Sequence, residues 1–160
     1  MNTNKLATVA AGLLLAFNAV AQEGSPYRET VGVDAHYESS DGDRAWSGDF
    51  SYARLFMNRL EIAGAYSFKG GNHDTTKVQS LQAIGRQWFG PIAQANTVSP
   101  FVQVAAGMEF ANSHYENVVG VGAGLGFFVN NQSELRLTLK GEWGGFKDST
   151  RLDAGYYYHF

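Results

Sequence analysis

The sequence predicts an all-β fold, an eight-stranded antiparallel up-and-down transmembrane β-barrel, and three observations carry that expectation. Eight segments alternate apolar and polar side chains with the two-residue period of a strand. Beyond Ala21, charged or polar residues interrupt every apolar run, so no segment suits a membrane-spanning helix. The final segment sets Leu152, Ala154, Tyr156, Tyr158 and Phe160 on one face, with Asp153, Tyr157 and His159 on the other. Such a strand has lipid on one side and a polar lumen on the other. In lipid, only helices and closed barrels pair every backbone group, so strands that cross must close.

The first segment runs from about Arg28 to Glu38, with Val31, Val33, Ala35 and Tyr37 outward. The second, Trp46 to Leu55, turns Trp46, Phe50 and Tyr52 outward; the third, Leu60 to Lys69, sets Leu60, Ile62, Tyr66 and Phe68 against Glu61, Ala63, Ala65, Ser67 and Lys69. In the fourth, Lys77 to Phe89, Leu81, Ala83, Gly85 and Phe89 suit lipid although Gln79 and Gln87 share their parity. The fifth begins after Pro100, whose missing N–H suits a strand opening, and turns Val102, Val104, Ala106, Met108 and Phe110 outward. The sixth, Val118 to Val129, alternates an apolar outward face with inward Gly120, Gly122, Gly124 and Gly126; the seventh alternates Leu135, Leu137, Leu139 and Trp143 with Glu134, Arg136, Thr138, Lys140 and Glu142. Outer loops are expected at Ser39 to Ala45, Gly70 to Thr76, Ala111 to Asn117 and Gly144 to Thr150, all rich in turn residues.

Met1 to Lys5, Leu6 to Phe17 and Ala19-Val20-Ala21 read as the positive, apolar and cleavage regions of a signal peptide, so residues 1–21 are expected to be removed and 22–160 to form one barrel domain. The apolar run falls short of the roughly 20 residues of a membrane anchor. A formal net charge of −3 excludes a nucleic-acid binder by electrostatics. With 0 cysteines, disulfide and thiolate-metal chemistry are out of reach.

A soluble eight-stranded barrel or sandwich alternates too, but it would hide the apolar face and expose the charges. Aromatics near both strand ends favour the membrane orientation: Tyr37, Trp46, Phe68, Phe110 and Trp143 above, and Phe56, Phe89, Phe127 and Phe160 below. The inward face then carries Asp34, Glu38, Asp49, Glu61, Lys69, Arg86, Glu109, Glu134, Arg136, Lys140, Glu142, Arg151 and Asp153. An eight-stranded interior is about wide enough for side chains to fill it, so these charges must neutralise one another. Folding adjacent strands about their loops sets Glu142 opposite Arg151, Lys140 opposite Asp153, Arg136 opposite Tyr157, Glu134 opposite His159, Glu61 near Arg86 and His36 near Asp49. A polar plug is the plain reading of this lumen charge network, and a proton or ion path through paired carboxylates is the sharper one. The inward glycines would make room for Phe101, Phe128 or Tyr157.

Catalysis would draw on His36, His73, His114 or His159, and the nearest approach to a triad is Ser113, His114 and Glu116. Adjacent strand residues point to opposite faces, so this set argues against an enzyme. A rim metal site from His73, Asp74, His114 and Glu116 has unspecific spacing. Arg44, Lys69, Lys77, Lys147 and Arg151 lie where they could meet lipopolysaccharide phosphates or simply remain solvated.

Taken over residues 22–160, the strand pattern, the export signal and the terminal Phe160 resemble the small outer-membrane barrels of the OmpX and OmpA-transmembrane-domain type. The resemblance implies a monomer in the bacterial outer membrane with a structural or membrane-integrity role and no cofactor. Its partners would be outer-membrane lipid and lipopolysaccharide, with Phe160 as the assembly signal read by the barrel-assembly machinery. A surface-interaction, adhesin-like role is the alternative, and a lipid A-modifying enzyme is a further one. Adhesin members carry long outer loops or protruding strands, and the loops expected here are short.

Overall fold

The computed structural model describes residues 29–40, 43–56, 59–71, 78–112, 114–146 and 148–160. Residues 1–21, where the signal segment is expected, lie outside the described residues, as do His73, Asp74, Lys77, Ser113 and Lys147 and the side chains of Glu38, Arg44 and Lys69. Eight strands form, each antiparallel to the next: β1 (Glu29–Ser40), β2 (Asp43–Phe56), β3 (Leu60–Gly71), β4 (Val78–Trp88), β5 (Thr97–Ala111), β6 (His114–Phe128), β7 (Ser133–Gly144) and β8 (Ser149–His159). Pairing of β1 with β8 closes the sheet into a barrel.

Polarity is inverted relative to a soluble protein, because the buried set holds Glu61, Arg86, Glu109, Glu134, Arg136, Lys140, Glu142, Arg151 and Asp153 while large apolar side chains face out. Trp46 is 68% exposed, Phe68 59%, Leu139 58% and Phe160 49%. Such a surface belongs in hydrocarbon, and the aromatics at its two edges suit the interfaces. In β4, Ser80, Gln82, Ile84, Arg86 and Trp88 point inward, so Gln79 and Gln87 do lie on the lipid-facing side.

Several expectations about local structure are corrected, among them the loop expected at Ser39 to Ala45, most of which is strand because β1 runs to Ser40 and β2 starts at Asp43, its register partner. The β7–β8 hairpin pairs Lys140 with Arg151, Thr138 with Asp153, Arg136 with Gly155 and Glu134 with Tyr157, two residues away from the expected register. A slip of two preserves which side chains face inward, so the hydrophobic pattern cannot detect it. The turn decides it: Gly144 and Gly145 adopt positive φ of 76° and 69°, and the Gly144 N–H donates to Asp148 Oδ1 at 3.1 Å, so β8 starts at Ser149. A slip of two also makes Ser47 the register partner of His36 and Asp34 that of Asp49, yet His36 Nδ1 still stands 3.6 Å from Asp49 Oδ1 as a diagonal neighbour, as expected.

The expected loop from Ala111 to Asn117 is mostly strand. β5 and β6 are the longest strands at 15 residues each, and Ala111 pairs directly with His114. Asn112 opens the two-residue turn at φ 47°, a conformation Asn tolerates. Pro100 sits inside β5 and does not open it. Its carbonyl accepts from Phe89 N at 2.9 Å, so its missing N–H also faces the β4 side, where it forgoes a single bond, to the Phe89 carbonyl just past the end of β4.

Candidate functional site: the lumen

Two polar networks occupy the lumen, one above the other. The lower is built around Arg136 of β7. Its guanidinium forks onto Glu134 through two bonds of 2.7 Å and reaches across to Glu61 of β3 at 3.2 and 3.4 Å. Arg86 of β4 bonds the same Glu61 and donates through Nε to Gln103 Oε1 at 2.8 Å. Aromatic rings enclose these charges: Arg136 lies 3.7 Å from the Tyr157 ring centroid, 5.0 Å from Trp88 and 5.6 Å from Phe101. Trp88 packs against Phe101 at 4.8 Å and Phe128 at 5.8 Å, and all three are buried. His159 joins this network, with Nε2 3.0 Å from Glu134 and Nδ1 2.9 Å from the Thr30 hydroxyl. A guanidinium shared by two carboxylates and bedded on π faces is held by charge-assisted bonds and cation–π attraction together.

The upper network centres on Arg151 of β8. It donates to Asp49 Oδ2 at 2.8 Å, Glu142 Oε2 at 3.2 Å and Asp153 Oδ1 at 3.2 Å, and it stands 3.4 Å from His36 Nδ1. Lys140 donates to Gln82 Oε1 at 2.6 Å and lies 2.8 Å from Glu142 Oε1, while Gln82 Nε2 donates to Glu142 at 2.7 Å. Above this layer, Glu109 of β5 accepts from Phe146 N at 3.2 Å, which draws the β7–β8 loop toward the far wall.

Small side chains opposite long ones make both networks possible. Ala53, Ala63, Ala65, Ile84 and Ala105 line β2 to β5, and the long residues of β7 and β8 extend toward them. On β6, a Cβ at Gly124 would strike the Phe101 ring and the Leu137 carbonyl, and one at Gly126 would strike Trp88 and Glu134. On β1, a Cβ at Gly32 would enter the Tyr157 ring.

Of the pairs expected from sequence, Glu61 and Arg86 are cross-strand partners, and Glu142 with Arg151, Glu134 with His159 and Arg136 with Tyr157 meet as diagonal neighbours. Lys140 is corrected: its ammonium goes to Glu142 and Gln82 in place of Asp153. Arg151, expected both in the lumen network and among the basic residues near the outer rim, is buried in the lumen, so its rim role is corrected. Sequence reasoning missed Trp88, Gln82 and Gln103, although Trp88 and Gln82 share the parity of Arg86 on β4 and so could have been placed inward. His114 is exposed and bonds its own turn through Asn112 O at 3.1 Å, and Glu116 is exposed beside it. Among the described residues no group of three or more His, Cys, Asp or Glu is arranged to hold a metal ion.

No protein-family model and no curated protein matches the chain. Solved structures do. Neisserial surface protein A superposes with a TM-score of 0.69 at 19% identity, covering 86% of this chain and 100% of that one. The N-terminal β-barrel domain of Pseudomonas aeruginosa OprF gives 0.57 at 19% identity over 84% of this chain and 99% of that one. A de novo designed transmembrane β-barrel gives 0.56 at 15% identity, over 87% and 100% respectively. The shared fold is the small eight-stranded barrel of outer-membrane proteins, and the inverted polarity of this chain is what that fold requires.

Proposed function

We propose that this chain is a structural protein of the bacterial outer membrane, a monomeric plugged barrel that contributes to membrane integrity and neither conducts nor catalyses. The observation that supports the reading is the lower network: Arg136, Arg86, Glu61 and Glu134 bond across the lumen under the rings of Trp88, Phe101, Phe128 and Tyr157. Every one of those polar groups is buried and paired, and opening a water path would separate charges at high cost. His36 and His159 face carboxylates inside the lumen, remote from any substrate in the lipid. Proposed partners are outer-membrane lipid and lipopolysaccharide along the apolar wall, and the barrel-assembly machinery at Phe160.

Purified protein in planar bilayers is expected to show no long-lived conductance, and a deletion strain is expected to leak hydrophobic dye while its lipid A mass is unchanged. Reproducible porin-like channels would overturn the plug, and an altered lipid A mass would overturn the non-enzymatic role. A surface-interaction role is favoured by one feature, the outer end of the β5–β6 hairpin. There His114 to Asn117 are exposed on both faces and Tyr115 is 70% exposed. Binding of whole cells to host matrix, lost on Tyr115→Ser, would support it.

A further inference from the structure

The lipid-facing wall carries almost no charge. Among the described outward side chains of the strands, the charged ones are Glu29 of β1 and Arg54 of β2, and they are register partners. Both stand at the periplasmic end, where charge on the lipid face of a barrel is tolerated because headgroups lie within reach. Phe56 and Phe160 flank them at the same level: the Arg54 guanidinium lies 5.8 Å over the Phe56 ring, and Glu29 exchanges backbone hydrogen bonds with Phe160 at 3.3 and 3.0 Å. Tyr52, which faces out 46% exposed, lies diagonally across the β1–β2 ladder from Glu29, next to Arg54's position on the same outward face.

We propose that Glu29 and Arg54 bind a phospholipid headgroup of the periplasmic leaflet that carries both a phosphate and a primary ammonium, a phosphoethanolamine headgroup. The proposal rests on the transmembrane reading above and goes beyond it. Charge complementarity selects the ligand: the planar guanidinium fork matches phosphate oxygens two at a time, and the carboxylate beside it accepts from an ammonium N–H. A purely anionic headgroup would satisfy Arg54 and be repelled by Glu29. A quaternary ammonium would bring charge to Glu29 without a hydrogen to donate. The acyl chains also have a place to go. On the same strand, starting at Val33, a shallow apolar groove of about 720 Å³ runs between Val33, Ala35, Ala154, Tyr156, Leu135 and Leu137. Val33 lies about 13 Å along β1 from Glu29, within the reach of one acyl chain.

Native mass spectrometry of the detergent-purified barrel tests this, with phosphatidylethanolamine, phosphatidylglycerol and phosphatidylcholine of equal chain length added in turn. Wild type is expected to retain phosphatidylethanolamine about threefold better than either of the others. Arg54→Gln is expected to lower retention of all three by about tenfold, because the phosphate contact is common to them. Glu29→Gln is expected to keep lipid and lose the preference, so that phosphatidylglycerol equals or exceeds phosphatidylethanolamine. Arg54→Lys keeps the charge without the fork and is read in the same way if the glutamine variant does not fold; its retention is expected to fall. Retention unchanged in the Arg54 variants, or no headgroup preference in wild type, would overturn the proposal and leave the two charges as neighbours that only neutralise each other. Neither failure touches the transmembrane reading, which bilayer insertion tests separately.

Discussion

The two halves of the lumen solve one problem by different means. Both hold an arginine among carboxylates, yet Arg136 in the lower half is roofed by aromatic rings at 3.7 to 5.6 Å, whereas Arg151 in the upper half has only polar neighbours at hydrogen-bond distance. The side chains of Asp49 and Asp153 around Arg151 keep 10% and 9% exposure, whereas those of Glu61 and Glu134 around Arg136 keep 2% and 0%. A buried ion pair must recover its desolvation through geometry and added bonds. The lower network recovers it with π faces, and the upper one with more partners around its arginine. Around its arginine, the lower half is thus the drier and more enclosed of the two.

The largest effect expected from breaking this contrast is at Arg136→Ala. It leaves Glu61 with Arg86 alone and Glu134 with His159 alone in a dry site, and also empties the space under the Tyr157 ring, so it should destabilise by about 3–5 kcal/mol in urea unfolding from detergent micelles, with tryptophan fluorescence reporting the loss. Gly124→Val comes next, at about 3 kcal/mol, because the new side chain meets the Leu137 carbonyl as well as the Phe101 ring, and backbone cannot yield as a side chain can. Arg151→Ala should cost less than Arg136→Ala, about 2 kcal/mol, since Lys140 and Gln82 still bond Glu142. Adding Glu142→Gln to it should return a coupling of about 1 kcal/mol in a double-mutant cycle, and strict additivity would show that the two side chains act independently. The smallest change is Gly64→Ala. This glycine points out from β3 and a Cβ there meets nothing within 4 Å, so a shift within about 0.5 kcal/mol is expected, in contrast to the lumen glycines.

The inner and outer faces of all eight strands were legible in the sequence because lipid and lumen impose opposite demands at alternate residues. The pairing of Glu61 with Arg86 was reached too, by folding β3 and β4 about their loop and matching opposite charges, and here no two-residue slip intervened. What could not be read was whatever leaves that alternation untouched. The β7–β8 slip of two residues exchanges Arg151 for Asp153 opposite Lys140 while every side chain keeps its face, and only the turn geometry at Gly144 and Gly145 breaks the tie. The upper part of the β5–β6 hairpin was hidden for another reason. His114 to Asn117 stand clear of both lipid and lumen, so nothing there demands alternation although the backbone pairs as strand. Trp88 went unplaced because an aromatic near a strand end suits an interface as well as a plug.

The β1–β8 seam carries a kinetic consequence. Thr30 and His159 touch across it, 129 positions apart in the chain, and Glu29 and Phe160 lock the backbone beside them. Nearest-neighbour hairpins can form as soon as two strands are available, but this joint cannot close until the whole series has been delivered. Until then both outer strands present unpaired edges and a greasy face to water, the state most prone to aggregate. The two edges stay open until that last pairing is made, and closure of the ring ends their exposure.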